Sequence, residues 1–121
     1  MKIRIKGNSV RYRLSKSEVA LFGETGLVSE QTELMLETLT YELIRASCEN
    51  LTVEFSNQTI RFLVPETIAS AWVQTDEIGY QHKMLLPNGK EVFLLLEKDF
   101  VCIDNTFEDQ SDNYPNPNAV C

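Results

Sequence analysis

Hydrophobic and polar residues alternate along the first fourteen residues of the chain in the pattern of a β-hairpin. Residues 2–6 alternate lysine and arginine with isoleucine, and residues 9–14 alternate serine and arginine with valine, tyrosine and leucine. Strict alternation places the apolar side chains on one face of a strand and the polar side chains on the other. Gly7-Asn8, between the two segments, suits a two-residue turn with glycine first. The pattern therefore predicts a hairpin with one apolar face and one basic face.

The same pattern returns 50 residues later with no gap in the alignment. Val10-Arg11-Tyr12 aligns with Ile60-Arg61-Phe62, and Phe22 aligns with Trp72. Residue class is kept over about twenty positions at this fixed offset, which is typical of an internal repeat. We therefore expect one supersecondary unit to be used twice, with Phe22 and Trp72 as core residues on equivalent helix faces.

Two short helices are expected, one in each repeat. Ser15-Lys16-Ser17-Glu18 has the form of a capping box, in which the first serine and the glutamate exchange hydrogen bonds with each other's backbone N–H groups. The first helix should run from about residue 16 to residue 22, with Gly23 and Gly26 ending it. Pro65 holds the position equivalent to Ser15 and suits the first turn of the second helix.

Further strands are predicted after each helix. Residues 27–36 and 38–47 form one pair, and Asn88-Gly89, the strongest short hairpin signal, joins strands at about 80–86 and 91–97. The order strand-strand-helix-strand-strand then occurs twice. It predicts an α+β fold in which a duplicated β-β-α-β-β unit, with mostly antiparallel strands, forms a barrel-like or strongly curved sheet with two short helices.

The chain is expected to form a single domain over residues 1–121. The first repeat covers about residues 2–47 and the second covers about residues 51–97. Residues 98–121 form an acidic tail rich in proline and asparagine, and composition alone predicts a loop or a disordered segment there.

Charge and cysteine content exclude several classes of protein. The net charge of −7 argues against a general nucleic-acid binder, which neutralises phosphates with basic residues. An apolar run of about 20 residues, as a membrane span requires, does not occur, and the charged N-terminus lacks the apolar region of a signal peptide. Three cysteines, an odd number, argue against a disulfide framework. We therefore expect a cytoplasmic protein.

The polar face of the first predicted hairpin is a candidate binding site. Arg4 should lie opposite Arg11, whereas Glu54 lies opposite Arg61 in the second repeat, so only the first repeat lacks its own counter-ions. Water, acidic residues of neighbouring strands or the tail folding back would supply them. A bound phosphate-like anion is the other interpretation, because the forked guanidinium group suits it. The candidate residues are Lys2, Arg4, Lys6, Arg11 and Arg13.

The tail offers a candidate metal site. Thiolate and carboxylate ligands suit zinc or iron, and the candidate ligands are Cys102, Cys121, Asp104 and His82. The two cysteines are 19 residues apart, which matches no established zinc finger, and Cys102 between two apolar residues is more typical of a buried structural thiol. The default expectation is therefore that no cofactor is bound.

The two ends of the chain have the most distinctive sequence. Residues 3–9 are Ile-Arg-Ile-Lys-Gly-Asn-Ser, and residues 108–118 are Glu-Asp-Gln-Ser-Asp-Asn-Tyr-Pro-Asn-Pro-Asn. These segments resemble the opening and the ending of a family of short, uncharacterised bacterial cytosolic proteins, a domain of unknown function. The resemblance covers essentially the whole chain. It implies a bacterial cytosolic protein with an ordered tail, and it brings no activity.

A barrel of two such repeats with charged walls is similar in fold to the triphosphate tunnel hydrolases. That family opens with alternating glutamates and a lysine, which hold metal and phosphate. Residues 2–6 of this chain contain no carboxylate. The departure removes the metal-binding residues, and a likeness of fold cannot carry function by itself.

The sequence therefore predicts a non-enzymatic binding or interaction module with an anion site on the basic hairpin face. The alternative is a metal-dependent enzyme or metal-binding protein that uses the Cys102 and Cys121 tail. Expected partners are another protein or a small anion, without general nucleic-acid binding and without a membrane, and self-association is compatible with the sequence.

Overall fold

A computed structural model describes residues 1–100 and 111–115 of the chain. The strand-strand-helix-strand-strand order occurs twice in it, with eight strands and two helices, as the hydrophobic pattern predicts. The elements are β1 Lys2–Ile5, β2 Ser9–Leu14, α1 Lys16–Thr25, β3 Leu27–Glu33, β4 Thr38–Ala46, β5 Thr52–Ser56, β6 Thr59–Pro65, α2 Glu66–Gln74, β7 Gly79–Leu85 and β8 Glu91–Lys98.

The strands divide into two four-stranded mixed sheets. Sheet 1 has the order β1-β2-β8-β7 and sheet 2 has the order β3-β4-β6-β5. The four hairpins are antiparallel, whereas the central pairs β2/β8 and β4/β6 are parallel. The expected barrel-like closure is wrong, because α1 and α2 each carry the chain from one sheet to the other. Each sheet is therefore built from one hairpin of each half of the chain.

The two sheets pack face to face around one core. The ring of Tyr12 on β2 lies 4.9 Å from the ring of Phe62 on β6, measured between centroids. The Tyr12 hydroxyl donates a hydrogen bond of 3.1 Å to the carbonyl of Ile60, so it joins the sheets through a polar contact as well. Burial of such large apolar side chains is the main stabilising contribution. Sixteen apolar residues form this buried cluster among the described residues.

The helices pack against each other at one end of the sandwich. Phe22 of α1 and Trp72 of α2 make an edge-to-face contact at 6.0 Å. Gly23 permits this approach, because a Cβ atom there would lie 2.6 Å from Cγ1 of Val73. The prediction that Gly23 helps to end α1 is therefore wrong. The helix ends at Thr25 and is capped by Gly26, which adopts the left-handed conformation with φ of 77°.

The four hairpin turns lie at the opposite end. Three of these turns contain residues with positive φ: Gly7, Asn57, Gln58 and Gly89 have φ of 54°, 50°, 59° and 85°. Glycine at residues 7 and 89 agrees with the turns predicted there. Residues 92–96 form an uninterrupted apolar run, which would suit a strand covered on both faces, but they alternate between buried and half-buried positions. No helix in the described part of the chain is long and apolar enough to cross a bilayer.

The start of α1 is held by the predicted capping interaction. The backbone N–H of Ser15 donates to Oε1 of Glu18 over 2.9 Å, and the Met1 ammonium group donates to the same carboxylate. Burial raises the pKa of Glu18, but these two hydrogen bonds, a third with Glu30 and the charge of the ammonium group together outweigh it, so the pKa lies below its usual value. Deprotonation of Glu18 is thus coupled to folding.

Replacing Glu18 with alanine is expected to lower the free energy of unfolding by about 1 kcal/mol at neutral pH, because the first turn of α1 loses an acceptor. The wild-type contribution is complete above the unfolded pKa, about 4.5, and is lost as the pH falls through the lower folded value. Urea denaturation at several acidic pH values checks this. The Glu18→Gln variant can still accept from the Ser15 N–H but loses the carboxylate that pairs with the Met1 ammonium group, so it should lose the pH dependence and the stability that goes with it. An unchanged pH dependence would contradict the assignment.

Candidate functional site

The basic residues of the first hairpin converge on a surface cavity of sheet 1. The register pairs Arg4 with Arg11 and Lys2 with Arg13, as the alternation predicts. These four side chains, with Ile3, line a cavity of about 300 Å³. The fifth candidate, Lys6, follows the end of β1 beside the turn and does not line the cavity.

Acidic residues near the end of β8 supply part of the counter-charge. Nε of Arg11 lies 2.6 Å from Oε1 of Glu97, and Nζ of Lys2 lies 3.0 Å from Oδ2 of Asp99. The parallel pairing of β2 with β8 brings these carboxylates next to the basic hairpin, since Arg13 is in register with Glu97. Neighbouring strands thus provide two of the counter-ions that the first hairpin lacks.

Arg13 differs from Arg11 and Lys2 because its side chain has an unsatisfied donor. Its Nε atom is buried and has no hydrogen-bond partner within residues 1–100 and 111–115. A buried donor without an acceptor costs about 1–3 kcal/mol. Arg4, on the neighbouring strand β1, makes no ion pair within the same residues. The cavity therefore presents two guanidinium groups that lack acceptors in the described structure.

Two charged residues that the sequence interpretation missed are buried at the end of β8 and directly after it. Lys98 and Asp99 are each only 5 % exposed. The Lys98 ammonium donates over 2.8 Å to the carbonyl of Thr75 at the end of α2, where a cation is favoured. Burial lowers the pKa of Lys98. The alternation along β8, which puts Lys98 on the same face as Leu96, was the signal for its burial.

Residues 111–115 dock at the start of α1. The backbone carbonyl of Asp112 accepts from Lys16 N–H over 3.0 Å, and its carboxylate accepts from Ser17 N–H over 3.2 Å. Hydrogen bonds from Ser17 and Ser15 hold the pKa of Asp112 below its usual range. The described part of the tail therefore adds a second acceptor at this helix terminus. Folding of the tail over the basic hairpin face, which the charges suggest, stays a prediction for the residues outside the described ranges.

The candidate metal ligands are only partly described. Cys102, Asp104 and Cys121 lie outside the described residues. His82 is half-buried on β7, in register with Leu94. Within the described ranges, no group of three or more histidine, cysteine, aspartate or glutamate side chains is close enough to hold a metal ion. The metal-dependent alternative stays a prediction.

Comparison with known proteins identifies the family and no activity. No curated protein and no solved structure matches the chain. A family model matches residues 1–118, and its description is a family of unknown function, DUF7009. This confirms the expected kinship with an uncharacterised domain family, while bacterial origin and cytoplasmic location stay predictions. Because the match spans both halves and most of the tail, the chain belongs to the DUF7009 family of unknown function.

Proposed function

We propose that the protein is a non-enzymatic binding module whose basic cavity holds a small phosphate-like anion. The observation that carries the proposal is Arg13, whose buried Nε lacks an acceptor in the described structure and whose side chain lines a cavity together with three other basic side chains. A tetrahedral oxyanion offers several acceptor oxygens at once, and guanidinium groups bind such oxygens in pairs. An anion would satisfy the orphan donor and neutralise the like charges.

The existing ion pairs decide which residues would contact the anion directly. Arg11 and Lys2 are engaged by Glu97 and Asp99. Arg4 and Arg13 therefore make the principal contacts in the proposed complex, with the other two completing a positive rim. The cavity is open to solvent, so the binding should weaken as salt screens these charges.

The second half of the chain does not repeat all the basic residues that line the cavity. At the 50-residue offset, Arg61 corresponds to Arg11 and pairs with Glu42 at 3.5 Å. Glu54 and Leu63 correspond to Arg4 and Arg13. We infer that the two halves descend from one duplicated unit, an inference supported by the contacts of Tyr12 with Phe62 and of Phe22 with Trp72 at equivalent positions. Only the first unit carries the proposed site.

A thermal-unfolding series tests the anion proposal. Phosphate at ten times its dissociation constant should stabilise the protein by about 1.4 kcal/mol, because it binds only the folded state. The midpoint should rise with phosphate and not with chloride at equal ionic strength. In the double variant Arg4→Gln/Arg13→Gln the phosphate-dependent rise should disappear.

The matched control is Lys83→Gln, which removes a basic residue from strand β7 of the same sheet, outside the cavity. It should keep the full response to phosphate. An equal response in the double variant would overturn the site, and an equal effect of phosphate and chloride would show general screening instead of binding.

A further inference from the structure

The turn end of the sandwich opens into an apolar cavity of about 440 Å³. Both sheets contribute to its walls, and the volume lies in the range of sites that hold a compact apolar group. Three polar residues are part of the lining: Asn8 of the β1–β2 turn, Ser9 of β2 and Glu54 of β5. The principal apolar lining residues are Ile5, Val10, Leu39, Phe55, Ile60 and Met84.

The turn between β3 and β4, at the same end, is unusually apolar. Leu34, Met35 and Leu36 are 60 %, 97 % and 92 % exposed. Turns usually use glycine, proline, asparagine and aspartate, for conformational reasons. The backbone of this turn closes through Leu34 N–H to the carbonyl of Glu37 over 2.9 Å, without help from the three side chains. Three consecutive exposed apolar side chains therefore mark a contact surface.

We propose that a second copy of the chain docks end to end, so that the Leu34–Leu36 turn of each copy enters the apolar cavity of the other. The projection and the cavity lie at the same end of one chain. A two-fold axis between two such ends places the projecting turn of each copy at the cavity of the other. The resulting interface is closed and self-complementary. The arrangement buries apolar side chains that the monomer leaves in water.

Charge complementarity favours a second copy of the chain as the docking partner. Glu33 and Glu37 flank the apolar turn in sequence, whereas Lys6 and Lys90 belong to the two turns of sheet 1 at the same end. Glu54, on β5 of the other sheet, is the one charged residue among the described residues that line the cavity. The two-fold arrangement brings the acidic pair of one copy against the basic pair of the other, and such complementary rims orient association. An anionic lipid surface would instead be repelled by the two glutamates.

Sedimentation over a concentration series tests the proposal on the full chain. The wild-type protein should form a dimer, and Met35→Ser should raise the dissociation constant at least about tenfold, because a central apolar contact is lost. Leu21→Ser is the matched control. It removes an exposed leucine from α1, at the end of the sandwich opposite the proposed interface. The dissociation constant should therefore stay unchanged.

A charge exchange gives the second readout. Lys90→Glu alone should weaken the dimer, and adding Glu33→Lys in the same chain should restore it. Wild-type protein that stays monomeric at every concentration would overturn the proposal. So would a dimer whose dissociation constant is the same in Met35→Ser, or binding of wild-type monomers to uncharged lipid vesicles in place of dimerisation.

Discussion

Replacing Trp72 with alanine is expected to lower the free energy of unfolding by about 3–5 kcal/mol, the usual loss for a fully buried tryptophan. The Trp72 side chain has no exposed surface. Its ring packs edge-on against Phe22, and its Nε1–H donates over 3.1 Å to the carbonyl of Ile78. The substitution therefore removes the aromatic contact between the two helices. It also removes one of the two hydrogen bonds that the Ile78 carbonyl accepts, the other coming from the Lys98 N–H.

Circular dichroism during urea denaturation measures this loss. It is preferred to fluorescence because Trp72 is the only tryptophan in the chain. Trp72→Phe keeps most of the ring contact and should be less damaging. Leu21→Ala, at a partly exposed position of α1, should cost far less than Trp72→Ala. A loss below about 1 kcal/mol in Trp72→Ala would show that the helices do not close this end of the core as described.

Replacing Tyr12 with alanine should have a comparable effect, again about 3–5 kcal/mol, because the ring lies between the two sheets. The side chain is fully buried and contacts both Phe62 and Tyr41. Tyr12→Phe keeps the ring and loses only the hydrogen bond to the Ile60 carbonyl, so it should cost about 1 kcal/mol. The difference between the two variants separates packing from hydrogen bonding.

The pH dependence gives an independent check on Tyr12. Burial raises the pKa of its hydroxyl, so the folded state holds the proton when the unfolded state releases it. Stability should therefore fall as the pH rises above the ordinary tyrosine value of about 10. Tyr12→Phe should lose that part of the alkaline destabilisation. Identical alkaline profiles for the two proteins would contradict the burial of this hydroxyl.

Local structure was largely predictable from the sequence, because its causes are local. The alternation at residues 2–14 sets the first hairpin and its register, and Asn88-Gly89 sets the last. The capping residues Ser15 and Glu18 mark the start of α1. The 50-residue offset correctly indicated which aromatic residues are buried, since Phe22 and Trp72 occupy corresponding positions in the two helices.

The pairing of hairpins could not be predicted in the same way. Strand β2 carries the same alternation whether it pairs with β8 or with another strand, because pairing between distant segments depends on backbone hydrogen bonds that are independent of sequence. The two parallel pairs, β2/β8 and β4/β6, therefore emerged only from the structure. They replace the expected barrel with two sheets.

The same parallel pairing explains what was missed at the candidate site. It places Glu97 beside Arg11, 86 residues away in the chain, and puts Asp99 within reach of Lys2. The sequence indicated that the basic hairpin needed counter-ions, but it did not identify these two carboxylates. It also gave no sign that Arg13 would have a buried Nε without an acceptor. This atom now distinguishes Arg13 from the other basic residues of the hairpin.

The most direct test of the anion site is an NMR titration of the arginine Nε–Hε groups with phosphate at constant ionic strength. The Arg13 signal, assigned by its loss in Arg13→Lys, should shift progressively and reach saturation, because its Nε–H gains an acceptor. The internal control is Arg45, whose guanidinium group lies near Gly26 at the end of α1; its signal should stay in place. An Arg13 signal that does not move, or that moves in parallel with Arg45, would contradict the proposed site.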